Sequence, residues 1–188
     1  MFKNLVAKTR SVRRYDESFK VSEETLRSLV DLARLSPSPA NLQALKFKLV
    51  FNAELVMEVF RTVRFGGYFK DWGGPQPGER PAAYIVILGD LNIKQQFDLD
   101  AGIAAQSMML GLTDLGLGGC MVGSFDHDAL KRLLVLSEDL VITLVLAIGK
   151  PAEQIVIDEM TPGGSVKYYR DEQNVHHVPK RALDELII

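Results

Sequence analysis

Three arginines surround a hydroxyl in the run Thr9-Arg10-Ser11-Val12-Arg13-Arg14-Tyr15. Guanidinium forks match phosphate oxygens in a bidentate manner, and a neighbouring serine adds a further donor. A second run, Ser36-Pro37-Ser38-Pro39-Ala40-Asn41-Leu42-Gln43, gathers short hydroxyl and amide side chains in a turn-rich stretch ahead of an apolar strand. Such groups suit hydroxyls and the edges of polar rings, and they also build turns on their own account. Together the two runs describe a pocket for a large anionic ligand with polar ring edges.

Elements able to position these groups follow from periodicity. Ser22 caps a helix whose first turn carries Glu23 and Glu24, and Leu26, Leu29, Val30 and Ala33 recur at helical spacing until Pro37 and Pro39 stop the run. Residues 47–51 alternate as a strand, and residues 54–63 return to helical periodicity. In the stretch 64–81, eight glycines and prolines (Gly66, Gly67, Gly73, Gly74, Pro75, Pro77, Gly78, Pro81) break any regular element. Phe65, Tyr68, Phe69 and Trp72 sit among them, which argues for a covering flap. The apolar run 82–88 reads as a strand covered on both faces. The longest helix is expected over 98–117, with small residues among Ile103, Met108, Met109, Leu110 and Leu112, permitting close approach of another backbone in a core or across a subunit interface.

Gly118-Gly119-Cys120-Met121-Val122-Gly123 leads through a short strand to Asp126, a cap for a helix over 129–134. Residues 140–148 form another buried strand, ended by Gly149-Lys150-Pro151. A polar loop is expected next, and Pro179 opens a last short helix over 180–186. Helices and strands mix without regular βαβ alternation, so the expectation is one α+β domain over residues 1–188 with a mixed sheet.

A chain of 188 residues, 47% hydrophobic, can bury a sizeable core. Its net charge of -2 gives no electrostatic case for nucleic acid or a membrane surface. The longest apolar strand-like run falls far short of the ~20 residues that cross a bilayer as a helix. One cysteine, Cys120, excludes an intrachain disulfide framework, and no apolar segment of signal-peptide length opens the chain; both suit a cytoplasmic protein. Gly116-Leu117-Gly118-Gly119 lacks Rossmann spacing because Met121 occupies the last glycine position. His176-His177, without acidic or thiol ligands nearby in sequence, reads as a solvated loop pair rather than a metal site, and Cys120 reads as core.

Five segments, in order, resemble the nitroreductase family of FMN-dependent oxidoreductases. They are Arg10-Ser11-Val12-Arg13-Arg14-Tyr15; Pro37, Ser38, Asn41 and Gln43; the helix around Asp100-Ala101-Gly102-Ile103-Ala104-Ala105-Gln106-Ser107; Gly118 to Asp126; and Lys180-Arg181-Ala182-Leu183-Asp184-Glu185. The resemblance implies an α+β fold with a mostly antiparallel central sheet flanked by helices, and a homodimer with a long interface helix and FMN at the interface. It assigns the phosphate to Arg10, Ser11, Lys180 and Arg181, and the flavin N1/O2 edge to Arg13. The ribityl chain and pyrimidine edge fall to Ser38, Asn41 and Gln43, and the backbone around N5 to Val122, Gly123 and Ser124. Tyr68, Phe69 and Trp72 would then border the substrate. The implied activity is transfer of hydride from NADH or NADPH to nitroaromatic, quinone or similar electron-poor acceptors by a ping-pong route, with no side-chain acid or base and no metal. Alternatives are a specialised flavin enzyme (enone reduction, reductive dehalogenation, flavin fragmentation) or a non-enzymatic flavin-binding redox sensor. The chain departs from the family at Thr9, where an arginine is common, and at Gln43-Ala44-Leu45, which replaces Gln-Pro-Trp.

Overall fold

The computed structural model describes residues 2–69 and 71–188. Its centre is strand β5 (Leu140–Pro151), hydrogen-bonded along one edge to β3 (Ala83–Asp90). On the other edge it pairs with β4 (Gly118–Val122), its last two residues pair with β1 (Tyr15–Asp16), and β2 (Leu45–Val50) continues the sheet beyond β3. All these ladders are antiparallel. Helices cover both faces: α2 (Glu23–Leu35) and α4 (Asp98–Asp114) on one, α3 (Ala53–Thr62) and α5 (His127–Leu133) on the other. A short helix, α1 (Phe2–Lys8), opens the chain. Among the described residues, no helix is long and apolar enough to cross a membrane.

The period-2 geometry of a strand explains the continuous apolar run of β3. Ile85 and Ile87 pack with Leu26, Leu29 and Met108, while Tyr84, Val86 and Leu88 pack with Val59 and Leu130 on the opposite face. Helix α2 begins where its cap predicts, with Ser22 Oγ accepting from the Thr25 amide. Asn52 and Asp126 cap α3 and α5 in the same way.

Three expectations differ from the structure. Helix α4 ends at Asp114, and a turn through Gly116 (φ 70°) carries the chain into β4. Strand β5 continues through Gly149-Lys150-Pro151, because β1 and β4 offer partners there. The supposed polar loop is a second sheet, in which β6 (Ile155–Glu159) pairs parallel with β8 (His176–Lys180) and β7 (Tyr169–Arg170) pairs antiparallel with β8. Pro179 therefore lies in a strand rather than opening a helix, past the two residues that β7 pairs with. Only a 3-10 turn, Leu183–Glu185, follows.

Segment 10–14 is laid against the edge of the large sheet by close packing. Val12 N donates to Gly119 O at 2.9 Å, and the buried Tyr15 hydroxyl donates to Val12 O. Tyr15 lies directly on Gly149, where an added Cβ would meet its Cδ1 at 2.8 Å and its own Cβ at 3.2 Å. Gly149→Ala is expected to destabilise the protein by about 1–3 kcal/mol, since a fully buried ring must shift. A urea midpoint unchanged from wild type would contradict that packing.

Candidate functional site

The two ends of the chain meet at one cavity of about 330 Å³. Its walls include Arg10, Ser11 and Arg13 on one side and His176, Val178 and Lys180 on the other. Alternation along β8 puts these last three side chains on one face, which turns the C-terminal strand into a wall. Gln106 and Met109 of α4, Met121 of β4, Tyr168 and Thr9 complete the lining. Among the described residues, Arg10 Nε and Arg13 Nε are buried without a hydrogen-bond partner. Arg10 Nη2 donates to Val6 O at 2.9 Å, and Arg13 Nη1 donates to Ser11 O at 3.2 Å. The Tyr168 ring covers the Arg13 guanidinium at 4.6 Å.

Arg181 does not line this cavity; its guanidinium pairs with Glu185 at 3.4 Å. Ser38 and Gln43 line a different cavity, of about 180 Å³, together with Asp100 and Ile103, and Asn41 is exposed on the same loop. Val122 is buried in the core, Gly123 and Ser124 are exposed beyond the end of β4, and Ser124 O accepts from the Arg64 amide. A surface groove of about 470 Å³ on α4, lined by Leu99, Gly102, Ile103 and Gln106 among others, links the two cavities: Ile103 belongs to one, Gln106 to the other. Leu99 is 64% exposed there.

The described residues of stretch 64–81 are irregular, as expected, but they are tied down. Phe69 packs edge-on against Tyr168 (4.9 Å) and His176 (5.3 Å), and Arg170 sits over both Phe69 (4.3 Å) and Trp72 (4.5 Å). Tyr68 donates its amide to the Tyr168 hydroxyl at 3.3 Å and remains half-exposed. Tyr68, Phe69 and Trp72 do not line the cavity: Tyr68 and Phe69 pack behind its wall on Tyr168 and His176, and Trp72 lines a separate cavity with Phe60, Arg64 and Phe65.

The histidine pair is not a solvated loop. His176 is 0% exposed, and its two nitrogens have no hydrogen-bond partner among the described residues, Nδ1 lying 3.8 Å from Glu153 Oε2. Burial, then the charges of Arg13 and Arg170, push its pKa down to about 4. His177 lies between Asp158 (Nδ1 to Oδ2, 2.9 Å) and Asp171 (Nε2 to Oδ2, 3.2 Å), whose hydrogen bonds raise its pKa. The two therefore act oppositely on stability. Unfolded His176 takes up a proton at ~6.5 and the folded form only near 4, so its contribution is lost as pH falls between those values. The His177 contribution is complete below ~6.5 and is lost as pH rises through its raised folded value. Urea midpoints measured against pH should lose the acid-side decline in His176→Leu and the alkaline-side decline in His177→Asn. Identical profiles for both variants would contradict the assignment.

Sequence reasoning missed Gln106, Met109, Met121, Tyr168 and His176. The alternation His176-Val178-Lys180 was a readable signal, masked by Pro179.

The Nitroreductase family model matches residues 6–150, and the chain belongs to that family. An oxygen-insensitive NADPH nitroreductase of Helicobacter acinonychis is 25% identical, over 81% of this chain and 88% of the relative. Among solved structures, a nitroreductase family protein of Clostridium difficile 630 superposes with a TM-score of 0.67 at 24% identity, covering 81% of this chain and 86% of that one. An FMN-dependent nitroreductase of Clostridium difficile R20291 gives 0.66 at 24% identity, covering 80% and 87%. Both share the α+β fold with its antiparallel central sheet.

Proposed function

We propose that the protein is a homodimeric FMN oxidoreductase that uses NADH or NADPH. The observation that carries this reading is the meeting of Arg10, Ser11, Arg13 and Lys180 on one cavity from opposite ends of a nitroreductase-family chain. Arg10, Lys180 and the Ser11 hydroxyl suit a phosphate monoester, Arg13 leaves a third cation for the ring, and the orphaned Nε atoms of Arg10 and Arg13 are donors awaiting an acceptor. The name of the Clostridium difficile neighbour, an FMN-dependent nitroreductase, agrees with that choice of ligand.

When bound, FMN would supply the chemistry, taking hydride from NAD(P)H and passing it to a nitroaromatic, quinone or similar electron-poor acceptor that enters the same place. The chain's own residues bind and orient. Arg10, Ser11 and Lys180 hold the phosphate, and Arg181 joins them only by leaving Glu185. Arg13 sets a cation against the flavin N1/O2 edge, where negative charge grows on reduction. Val122, Gly123 and Ser124 offer backbone at N5, and the open space over Gly123 leaves room for close approach. Tyr68 and Phe69 back the cavity wall through Tyr168 and His176.

The loop that carries Ser38, Asn41 and Gln43 completes the site from a second copy. Within one chain Ser38 and Gln43 line a separate cavity with Asn41 exposed beside it, and the small-residue face of α4 runs between that cavity and the cationic one. Two copies packed through that face would bring each 38–43 loop towards the partner's cationic cavity. This explains why α4 exposes Leu99 and Gly102.

The test is anaerobic. Purified protein should carry the yellow flavin bands, bleach on addition of NADH or NADPH, and regain colour stoichiometrically with a nitroaromatic. A bound flavin that reduced nicotinamides fail to bleach would leave a binding module rather than an oxidoreductase.

A further inference from the structure

Backbone strain is concentrated in the loop that presents Asn41 and Gln43. Of the described non-glycine residues with positive φ, three fall within four positions: Ala40 (51°), Asn41 (54°) and Gln43 (51°). Such conformations persist only where the surroundings over-determine them. Here the surroundings are a relay of side chains. Lys94 Nζ bonds Asp100 Oδ2; Asp100 Oδ1 accepts from Ser38 Oγ at 2.9 Å; Ser38 Oγ accepts from Gln43 N at 3.0 Å. The Ser38 carbonyl accepts from Asn41 N at 2.8 Å. Asp100 is 3% exposed at its side chain, yet hydrogen bonds and charge from Lys94 and Ser38 outweigh burial and hold its carboxyl below the usual range.

We propose that Asp100, braced by Lys94, is a positioning residue that clasps Ser38 and so holds the left-handed 38–43 turn in the shape that meets the ligand. A serine hydroxyl carries one proton, and here it is given to a carboxylate that can only accept. One of its lone pairs is engaged by Gln43 N, so Ser38 has no donor left for a ligand. Its work is to fix backbone, leaving Asn41 and Gln43 as the side chains that meet a polar ring or polyol; Gln43 Nε2 donates to Asn41 O at 3.3 Å and keeps its second hydrogen and its oxygen for the ligand. The identity of that ligand rests on the FMN reading above; the clasp itself does not.

Three variants decide the matter: Asp100→Ala, Asp100→Asn and the double variant Asp100→Ala with Ala40→Gly. Amide hydrogen exchange on protein stripped of flavin reads the loop directly. The expected result is faster exchange at Asn41 and Gln43 in Asp100→Ala, unchanged exchange in β3, and an intermediate effect in Asp100→Asn, whose amide oxygen still accepts from Ser38 while its NH2 meets the Lys94 ammonium and loses the brace. FMN titration by quenching of flavin fluorescence should show about tenfold weaker binding for Asp100→Ala. Adding Ala40→Gly should recover part of that loss, because glycine takes a φ of 51° without steric cost. Unchanged exchange at Asn41 and Gln43 in Asp100→Ala overturns the clasp, whatever FMN does. Faster exchange with unaltered FMN affinity, or no recovery in the double variant, overturns the positioning role. Wild-type protein that takes up no FMN overturns the cofactor reading instead, and the exchange data still decide the clasp.

Discussion

Removing the charges of Arg10 and Lys180 together leaves a folded chain that no longer retains FMN through purification. Both side chains line the cationic cavity, and each lies at the surface of the fold rather than in its core, so truncation costs little packing. A hydrogen bond to a charged group contributes about 1.5–3 kcal/mol, so loss of two raises Kd by a factor on the order of 100 or more. The visible spectrum of the purified double variant and a flavin titration measure this directly. Arg181→Ala supplies the contrast: its guanidinium faces Glu185 outside the cavity, and its loss should change affinity by no more than about threefold. If the Arg181 variant bound FMN as poorly as the double variant, the phosphate would belong to the other wall.

The contrast between Lys180 and Arg181 also shows where the sequence stopped being informative. Adjacent basic residues look equivalent in a string, and only the strand geometry of β8 sends Lys180 into the cavity beside Val178 and His176. Much of the fold was legible because its signals are local. The cap at Ser22, the apolar run of β3 and the small-residue composition of α4 each follow from nearest neighbours along the chain. The second sheet was not legible, since β6 and β8 are parallel partners about twenty residues apart and Pro179 mimics a helix start. His177 was misjudged for the same reason, its two aspartate partners arriving from β6 and from the turn after β7. Likewise, nothing local separates Ser38 and Gln43 from Arg10; the distinction between their cavities emerges only when α4 is placed between them.

A buried carboxylate that no motif pointed to should have the largest effect on stability. Glu153, 1% exposed at its side chain, accepts from the backbone amides of Arg13 and Arg14 and from Arg170 Nη2 at 3.0 Å. It thereby ties the cationic segment to β7 and sets the position from which Arg13 faces the cavity. Glu153→Ala would strand a guanidinium that is only 9% exposed, along with two amide donors, and breaking such a pair from one side costs about 3–5 kcal/mol. Arg170→Met should cost less, because the carboxylate keeps both amides and the methionine stem can still lie against Phe69 and Trp72. The two substitutions share one network, so the double variant should be more stable than the sum of the single losses implies. Urea unfolding of all four proteins measures the coupling, with the linear slope checked for constancy across the set. FMN affinity should fall with Glu153→Ala as well, since Arg13 loses its anchor on the cavity side. A Glu153→Ala protein within about 1 kcal/mol of wild type would mean that water reaches this carboxylate, and that the Tyr15–Gly149 packing and the backbone bonds of Val12 and Arg14 suffice to hold the cationic segment.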